Sequence, residues 1–392
     1  MKKIDLKCKI ITPLFMGGAE QQPELRTQSF NGLFRYWFRL LGGSFENEKR
    51  LFGWGGEKAN KGIVSINLKE ENNKQEFQLQ QQGQGYNYLG FSLRLTNRRG
   101  INASSSFEIS FIFHPTSTED DIKKFLCAVW CAFYLGNFGS RGRRGFGSII
   151  VKNINGDILH DFNLKFICNQ NIGNWLKSQL EYIKSLNYWQ ARRDIPYIFE
   201  NLEIYKINKI NKNNLQNLVD WISQVQSNRS GKYLVNKWEL KNIGNIQDLQ
   251  DFMGFLLMAY RSYYEPDYSI AKKIISNPQN INENQTLKRV IFGLPLNFYF
   301  SSIRKRNQVE ARLNEESLRR ASPLIFKIIQ FNNNFDGFIL IFKPNNKHNF
   351  KFLPDEARIT LAGVKLDKPN WQILDDFINS LISKNLITKI YP

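Results

Sequence analysis

The stretch FEISFIFHPTSTEDDIKKFLCAVWCAFYLGNFGSRGRRGFGSIIVKNI, from Phe107 to Ile154, decides the fold. Phe107 to Pro115 reads as a strand. Ser117, Thr118, Glu119, Asp120 and Asp121 then supply a cap and a negative first turn. The helix they start carries Ile122, Phe125, Leu126, Val129, Trp130 and Phe133 on one face and stops near Gly136. A glycine-arginine loop follows, and the chain returns to a strand around Ser148 to Ile154.

Working outward, Ile4, Leu6, Cys8 and Ile10 alternate with Lys3, Asp5, Lys7 and Lys9, the period-two pattern of a half-buried strand. After the loop TPLFMGGAEQQPE, Thr27 or Ser29 can cap a helix that runs to the stop at Gly42 and Gly43. Gly62 to Lys69 is a further strand, and the Gln/Asn/Gly-rich run from Glu70 to Asn87 reads as a mobile insertion. The order strand, helix, strand, strand, helix, strand through about residue 165 is that of a ferredoxin-like or RRM-like unit.

From about 170 to 290 the pattern is helical, in NIGNWLKSQLEYIKSL, NLQNLVDWISQV and DLQDFMGFLLMAYRSYY. Strands return in VIFGLPLNFYF, SPLIFKIIQF and FILIFKP, the last two joined by an Asn-rich turn that includes Asp336 and Gly337. The helix NWQILDDFINSLISKNL follows. The expectation is an α+β protein of two ferredoxin-like domains, 1–165 and 166–392, the second carrying a mainly helical insertion; one large sheet is the alternative.

Composition narrows the partner. The chain has 392 residues, and 54 Lys+Arg against 35 Asp+Glu leave a formal charge of +19, a self-repulsion that a polyanion would neutralise. No apolar run is long enough to span a membrane and the N-terminus alternates like a strand, so a cytoplasmic protein with no membrane partner is expected. Cys8, Cys127, Cys131 and Cys168 form no C-x-x-C pair and lack histidines at zinc-ligand spacing; no metal and no cofactor are expected, and the thiols read as buried.

Gly139 to Ser148 is the most specific feature. Its glycines free the backbone for positive φ and expose amides to an anion, Arg141, Arg143 and Arg144 add bidentate phosphate donors, and Phe146 offers a face to a base. The loop follows a helix and precedes a strand, the reverse of a Walker or dinucleotide loop. A solvated turn is the bland alternative. On the first helix, at 100° per residue, Leu33, Phe34, Trp37, Leu40 and Leu41 form one stripe, with Gly32, Arg35 and Arg39 facing outward opposite. The histidines His114, His160 and His348 are scattered, and no triad or paired carboxylates can be read. His114 as a general base for RNA cleavage, and Asp194 as an acid or metal residue, are the catalytic alternatives. Asp194 reads more simply as a partner of Arg192 or Arg193.

The run ITPLFMGGAEQQPELRTQSFNGLFRYWFRLLGG, the loop FGSRGRRGFGS and the segment RRASPLIFKI together resemble the RAMP superfamily of CRISPR-associated proteins, and within it the subunit-one family of the type III-B Cmr complex. Ser29, Gly32 and Arg35 match the S-x-x-G-x-x-R helix of that superfamily, and Gly139 to Gly147 its glycine-rich loop. The resemblance implies two ferredoxin-like domains and a non-catalytic subunit at the crRNA 3′ region of an effector that captures complementary target RNA beside other Cmr subunits, with cutting left to those subunits. It also implies that Arg26, Ser29, Gly32, Arg35, Arg39, Gly139, Arg141, Arg143, Arg144, Gly145 and Phe146 contact RNA, with Arg319 and Arg320 as weaker candidates. An RNA-processing endonuclease and a module docking on acidic proteins are the competing readings.

Overall fold

The computed structural model describes residues 2–392 apart from 21, 57–58, 72–74, 81, 157–160, 170, 211–214, 227–242, 264–266, 281–284 and 301. His160 therefore lies outside the described residues.

The first part of the chain runs β1 (Lys3–Ile10), α1 (Thr27–Leu40), α2 (Phe45–Phe52), β2 (Val64–Glu70), β3 (Ser106–Phe113), α3 (Glu119–Tyr134) and β4 (Ile149–Gly156). The sheet order is β2-β3-β1-β4, all antiparallel. Alternation on β1 buries Ile4, Leu6, Cys8 and Ile10 and leaves Lys3 and Lys7 exposed, as the pleat requires. A capping box between Thr118 and Asp121 opens α3, and Asp121 also takes an ion pair from Arg50 at 3.0 Å. Helix α1 begins without a side-chain cap: Arg26 holds the capping position, and neither Thr27 nor Ser29 caps it.

The second part runs α4 (Ile172–Ser185), β5 (Leu202–Ile207), α5 (Ile246–Tyr263), β6 (Leu324–Phe331), β7 (Asn334–Phe342), α6 (Gln372–Ile382) and β8 (Ile387–Tyr391). Its sheet order is β6-β7-β5-β8, again antiparallel. Strand β5 lies inside the stretch that reads as helical. LEIYKI is short, and pairing on both sides with β7 and β8 makes it a strand. Asp336 and Gly337 pair with Ile329 and Ile328 within the β6–β7 ladder, so the turn falls at Asn332 and Asn333, with Asn332 at φ 52°.

Two further differences bear on the site. VIFGLPLNFYF is a strand only over Leu296–Phe300, after a 3-10 turn at Lys288–Phe292. That strand joins Lys305–Leu313, Glu316–Leu318, Arg358–Leu361 and Val364–Leu366 in a third sheet. The Gln/Asn-rich run contains the strand Glu76–Gln78 and the helix Gln84–Leu89. This helix packs closely on α5, because Gly85 and Gly254 leave no side chain between the backbones; the Tyr86 amide donates to Asp251 Oδ1 at 2.7 Å.

Helix α3 is buried on nearly every side. One face covers the first sheet through Phe125 against Phe111 and Phe113, while Trp130 and Tyr134 meet Trp175, and Tyr134 also meets Phe331 of the second sheet. The four cysteines are buried and form no disulfide, and among the described residues no His/Cys/Asp/Glu group could hold a metal.

Candidate nucleic-acid interface

The glycine-arginine loop leaves the C-terminal end of α3 and is docked on the second sheet. The Asn137 amide donates to Gly142 O at 2.6 Å and to Phe326 O at 2.8 Å. The Phe326 amide donates to Arg143 O at 3.2 Å, and Gln250 Nε2 to Gly145 O at 3.1 Å. Beneath the loop, the fully buried Lys327 ammonium donates to Gly136 O at 2.8 Å and to Asn137 Oδ1 at 3.3 Å; burial drives its pKa well down. Gly139, Gly145 and Gly147 have positive φ, as does Arg141 at 61°. At Gly139 a Cβ would lie 2.6 Å from Phe15 O, so close approach adds to the demand for glycine. The loop is thus anchored to the second sheet by hydrogen bonds from Asn137, Phe326 and Gln250.

Held this way, the loop forms one wall of a cleft of about 810 Å³. Arg141, Arg143, Arg144, Arg261, Arg289 and Arg320 line it, and among the described lining residues there is no aspartate or glutamate. Arg289 pairs with the buried Asp267 at 3.5 Å behind the wall. The other five sit among neutral groups. Arg141 Nε donates to Ser92 Oγ at 2.9 Å, Arg143 Nη2 to the Tyr36 hydroxyl at 2.7 Å and its other terminal nitrogen to Ser322 O, and Arg144 Nη2 to Phe292 O at 3.4 Å. Arg261 lies 5.9 Å from the Tyr88 ring and 5.7 Å from Phe292, and Arg320 5.3 Å from Phe352.

The electrostatics are those of a cluster of partly buried cations. Burial, and then the charge of Arg261 with those of Arg141 and Arg143, lowers the Arg144 pKa. Burial and Arg261 lower that of Arg141, and burial and Arg143 that of Arg320. A guanidinium starts so high that all three stay charged at neutral pH. Arg144 Nη1, Arg261 Nε and Arg320 Nε are buried without a hydrogen-bond partner, a cost that phosphate oxygens would relieve.

The other expected site residues are distributed as follows. Helix α1 divides them: Leu33, Tyr36 and Trp37 face the cleft, whereas Arg35 and Arg39 turn to the other flank. They are not a free basic face there. Arg35 Nε lies 2.5 Å from Glu48 Oε1, Arg39 Nη2 2.5 Å from the same oxygen, and Arg192 3.7 Å from Oε2, around a carboxylate that is 0% exposed. Burial raises the Glu48 pKa, but hydrogen bonds from Arg39 and Arg35 outweigh it and hold the group below its ordinary value. Arg192 thus turns to Glu48 and leaves the exposed Asp194 aside. Gly32 opens on empty space, Ser29 is partly buried in the first turn, and Arg26 pairs with Glu24 at 3.2 Å. Arg319 is exposed and outside the cleft lining, while Arg320 is inside it.

Phe146 corrects a specific expectation. It is 0% exposed, edge-on to Phe15 at 5.6 Å and to Tyr86 at 5.4 Å, and has no free face for a base. Phe91, 51% exposed on the cleft wall, has one. The sequence reading also missed Arg261 and Arg289. The available signal was a single arginine at the end of the otherwise apolar run GFLLMAYR, a position that needs a polar destination. His114 lies at the exposed end of β3, its Nδ1 2.9 Å from Thr116 Oγ1. It sits at the opposite end of α3 from the cleft, about 24 Å away at 1.5 Å rise per residue. His348 is buried, with Nε2 2.8 Å from Ile195 O.

Comparison with known proteins shows the family. The RAMP superfamily model matches residues 7–150. The Cmr1-1 subunit of the CRISPR system of Pyrococcus furiosus is 25% identical over 394 residues, spanning 95% of this chain and 93% of that protein. Cmr1-2 of the same organism is 30% identical over 175 residues, 36% of this chain and 91% of the relative. The crystal structure of apo Cmr1 from Pyrococcus furiosus superposes with a TM-score of 0.58 at 19% identity, covering 100% of this chain and 99% of that one; it shares this mixed α/β fold with antiparallel sheets. On this similarity to Cmr1-2 across nearly that protein's whole length, together with the superfamily match, the chain belongs to the RAMP superfamily and, within it, to the Cmr1 family.

Proposed function

We propose that this chain is a non-catalytic RNA-holding subunit of a type III-B CRISPR effector complex, acting in antiviral defence with other Cmr subunits. It grips the backbone of the crRNA 3′ region and its complementary target RNA. The observation that carries this reading is the arginine cleft: five guanidiniums with no acidic partner among the described residues, three of them with buried unsatisfied nitrogens, and three of the five on a loop anchored to the second sheet. Phosphodiesters supply the missing charge and acceptors, and Phe91 at the mouth supplies a stacking face. The names of the Pyrococcus relatives, both Cmr subunits, support the assembly. Two ferredoxin-like units, 1–165 and 166–392, are part of the proposal, supported by a strand order of second-third-first-fourth in both sheets.

The catalytic alternative is disfavoured by placement. The described lining of the cleft holds no histidine or carboxylate to move a proton, and His114 is a helix length away. The test is binding of single-stranded RNA to the purified chain. Arg141→Ala with Arg144→Ala is expected to weaken it by at least roughly tenfold, since bonds to charged groups contribute about 1.5–3 kcal/mol each. Unchanged affinity would remove the reading, and cleavage of repeat RNA abolished by His114→Ala would replace it with the endonuclease.

A further inference from the structure

On the far flank of α1, away from the arginine cleft, two aromatic side chains stand exposed side by side. Phe45 is 40% and Trp54 37% exposed, and their rings meet edge-on at 5.1 Å. They are held in place. Trp54 and Asn60 exchange both backbone hydrogen bonds at 2.8 Å, and Gly56 has no side chain where the indole nitrogen lies. Cations surround them: Lys49 Nζ is 4.2 Å from the Phe45 centroid and 5.8 Å from Trp54, and the Arg35 guanidinium is 5.7 Å from Trp54.

Between Trp54 and the unpaired edge of β2 lies a hollow of about 580 Å³, lined by Arg35, Asn60, Lys61, Ser65 and Asn67. Its acidic neighbours among the described residues are already engaged, Glu48 buried beneath three arginines and Glu46 paired with Lys49 at 3.3 Å. Rigid aromatic faces, nearby cations and neutral amides are the elements that stack an unpaired base and hold its phosphate.

We infer that the Phe45–Trp54 ridge is a second contact for single-stranded RNA, in which an unpaired base stacks on Trp54 while Lys49, Lys61 and Arg35 meet its phosphate. This rests on the reading of the chain as an RNA holder. It adds a second base-stacking contact, on the far flank of α1, to the cleft that holds the backbone and stacks on Phe91.

The test is photocrosslinking of the full chain to single-stranded RNA containing 5-iodouridine, with the crosslinked peptides mapped by mass spectrometry. Affinities are measured in parallel for the same RNA and for an oligomer with abasic positions. A crosslink at Phe45 or Trp54 is expected. Trp54→Ala should weaken binding of the base-containing RNA by roughly tenfold, the scale of one base–aromatic stack, and leave the abasic oligomer's affinity unchanged. Trp54→Phe should restore much of the loss, which separates lost stacking from misfolding. Crosslinks confined to the cleft, with Trp54→Ala neutral, overturn the second contact and leave the cleft standing. Absence of all crosslinking and affinity overturns both. Loss of association with other subunits alone, with RNA crosslinks unchanged, makes the ridge a protein contact and overturns the inference.

Discussion

Two phenylalanines, Phe146 within the glycine-arginine loop and Phe91 on the cleft wall, differ in burial and therefore in what their removal should do. Phe146 is closed in among Phe15 and Tyr86, and truncating it removes buried ring area and leaves a cavity. Phe146→Ala is expected to cost about 3–5 kcal/mol of stability in denaturant unfolding. Phe91→Ala should leave stability within about 0.5 kcal/mol, as exposed positions do, while weakening RNA binding. Sequence could not separate the two, because a phenylalanine between glycines reads as exposed until the loop after β1 and the helix Gln84–Leu89 are placed against it. Glu48 is the reverse case. It reads as an unremarkable glutamate, yet three arginines converge on it. Removing its charge with Glu48→Gln should cost about 1–3 kcal/mol, the scale of hydrogen bonds to charged groups, because the arginines left behind are partly exposed and stay hydrated. Its folded pKa lies below the unfolded value, so its contribution is present above the ordinary carboxylate range and is lost as pH falls through the lowered value. The Glu48→Gln and parent stabilities should therefore converge in acid; a gap independent of pH would refute the ion-pair account.

At the scale of elements, the loop after α3 is the junction between two sheets. Its order, helix then glycine-arginine loop then strand, was legible because helical and alternating periods are local signals. Its anchors were not, since Asn137, Gln250 and Lys327 come together only through contacts between residues more than one hundred positions apart. The Asn137 amide and carbonyl oxygen bind Gly142, Phe326 and Ser148. Asn137→Ala is expected to cost about 2–4 kcal/mol at about 1 kcal/mol per bond plus the unsatisfied carbonyls. It should also speed amide exchange across Gly139–Gly147 relative to β1, measured by hydrogen–deuterium exchange. Helix α1 shows the same limit: its apolar stripe was readable, but which polar flank faced the cleft was decided by where α2 placed Glu48.

In the whole molecule, two four-stranded sheets of the same strand order meet across a loop whose arginines collect in one cleft. The four sheet strands and two long helices of the first unit were legible because each is a local periodic signal, whereas the helix Phe45–Phe52 and the elements inside the Gln/Asn-rich run were not. The third sheet was not, since Lys305–Leu313 is a polar strand whose partners Leu296–Phe300 and Arg358–Leu361 carry weak alternation. The net charge of +19 pointed to a polyanion without saying where it would sit; the arginine cleft, with no carboxylate among its described lining residues, is the proposed seat. The most direct measurement is the salt dependence of single-stranded RNA affinity for the parent chain and the Arg141→Ala, Arg144→Ala, Arg320→Ala variant. Each phosphate contact adds about 0.7 to the slope of log K against log salt. The variant is expected to lose roughly two units of slope along with affinity. A variant with the parent's slope would contradict the account, because the charge that holds RNA would then lie outside the cleft.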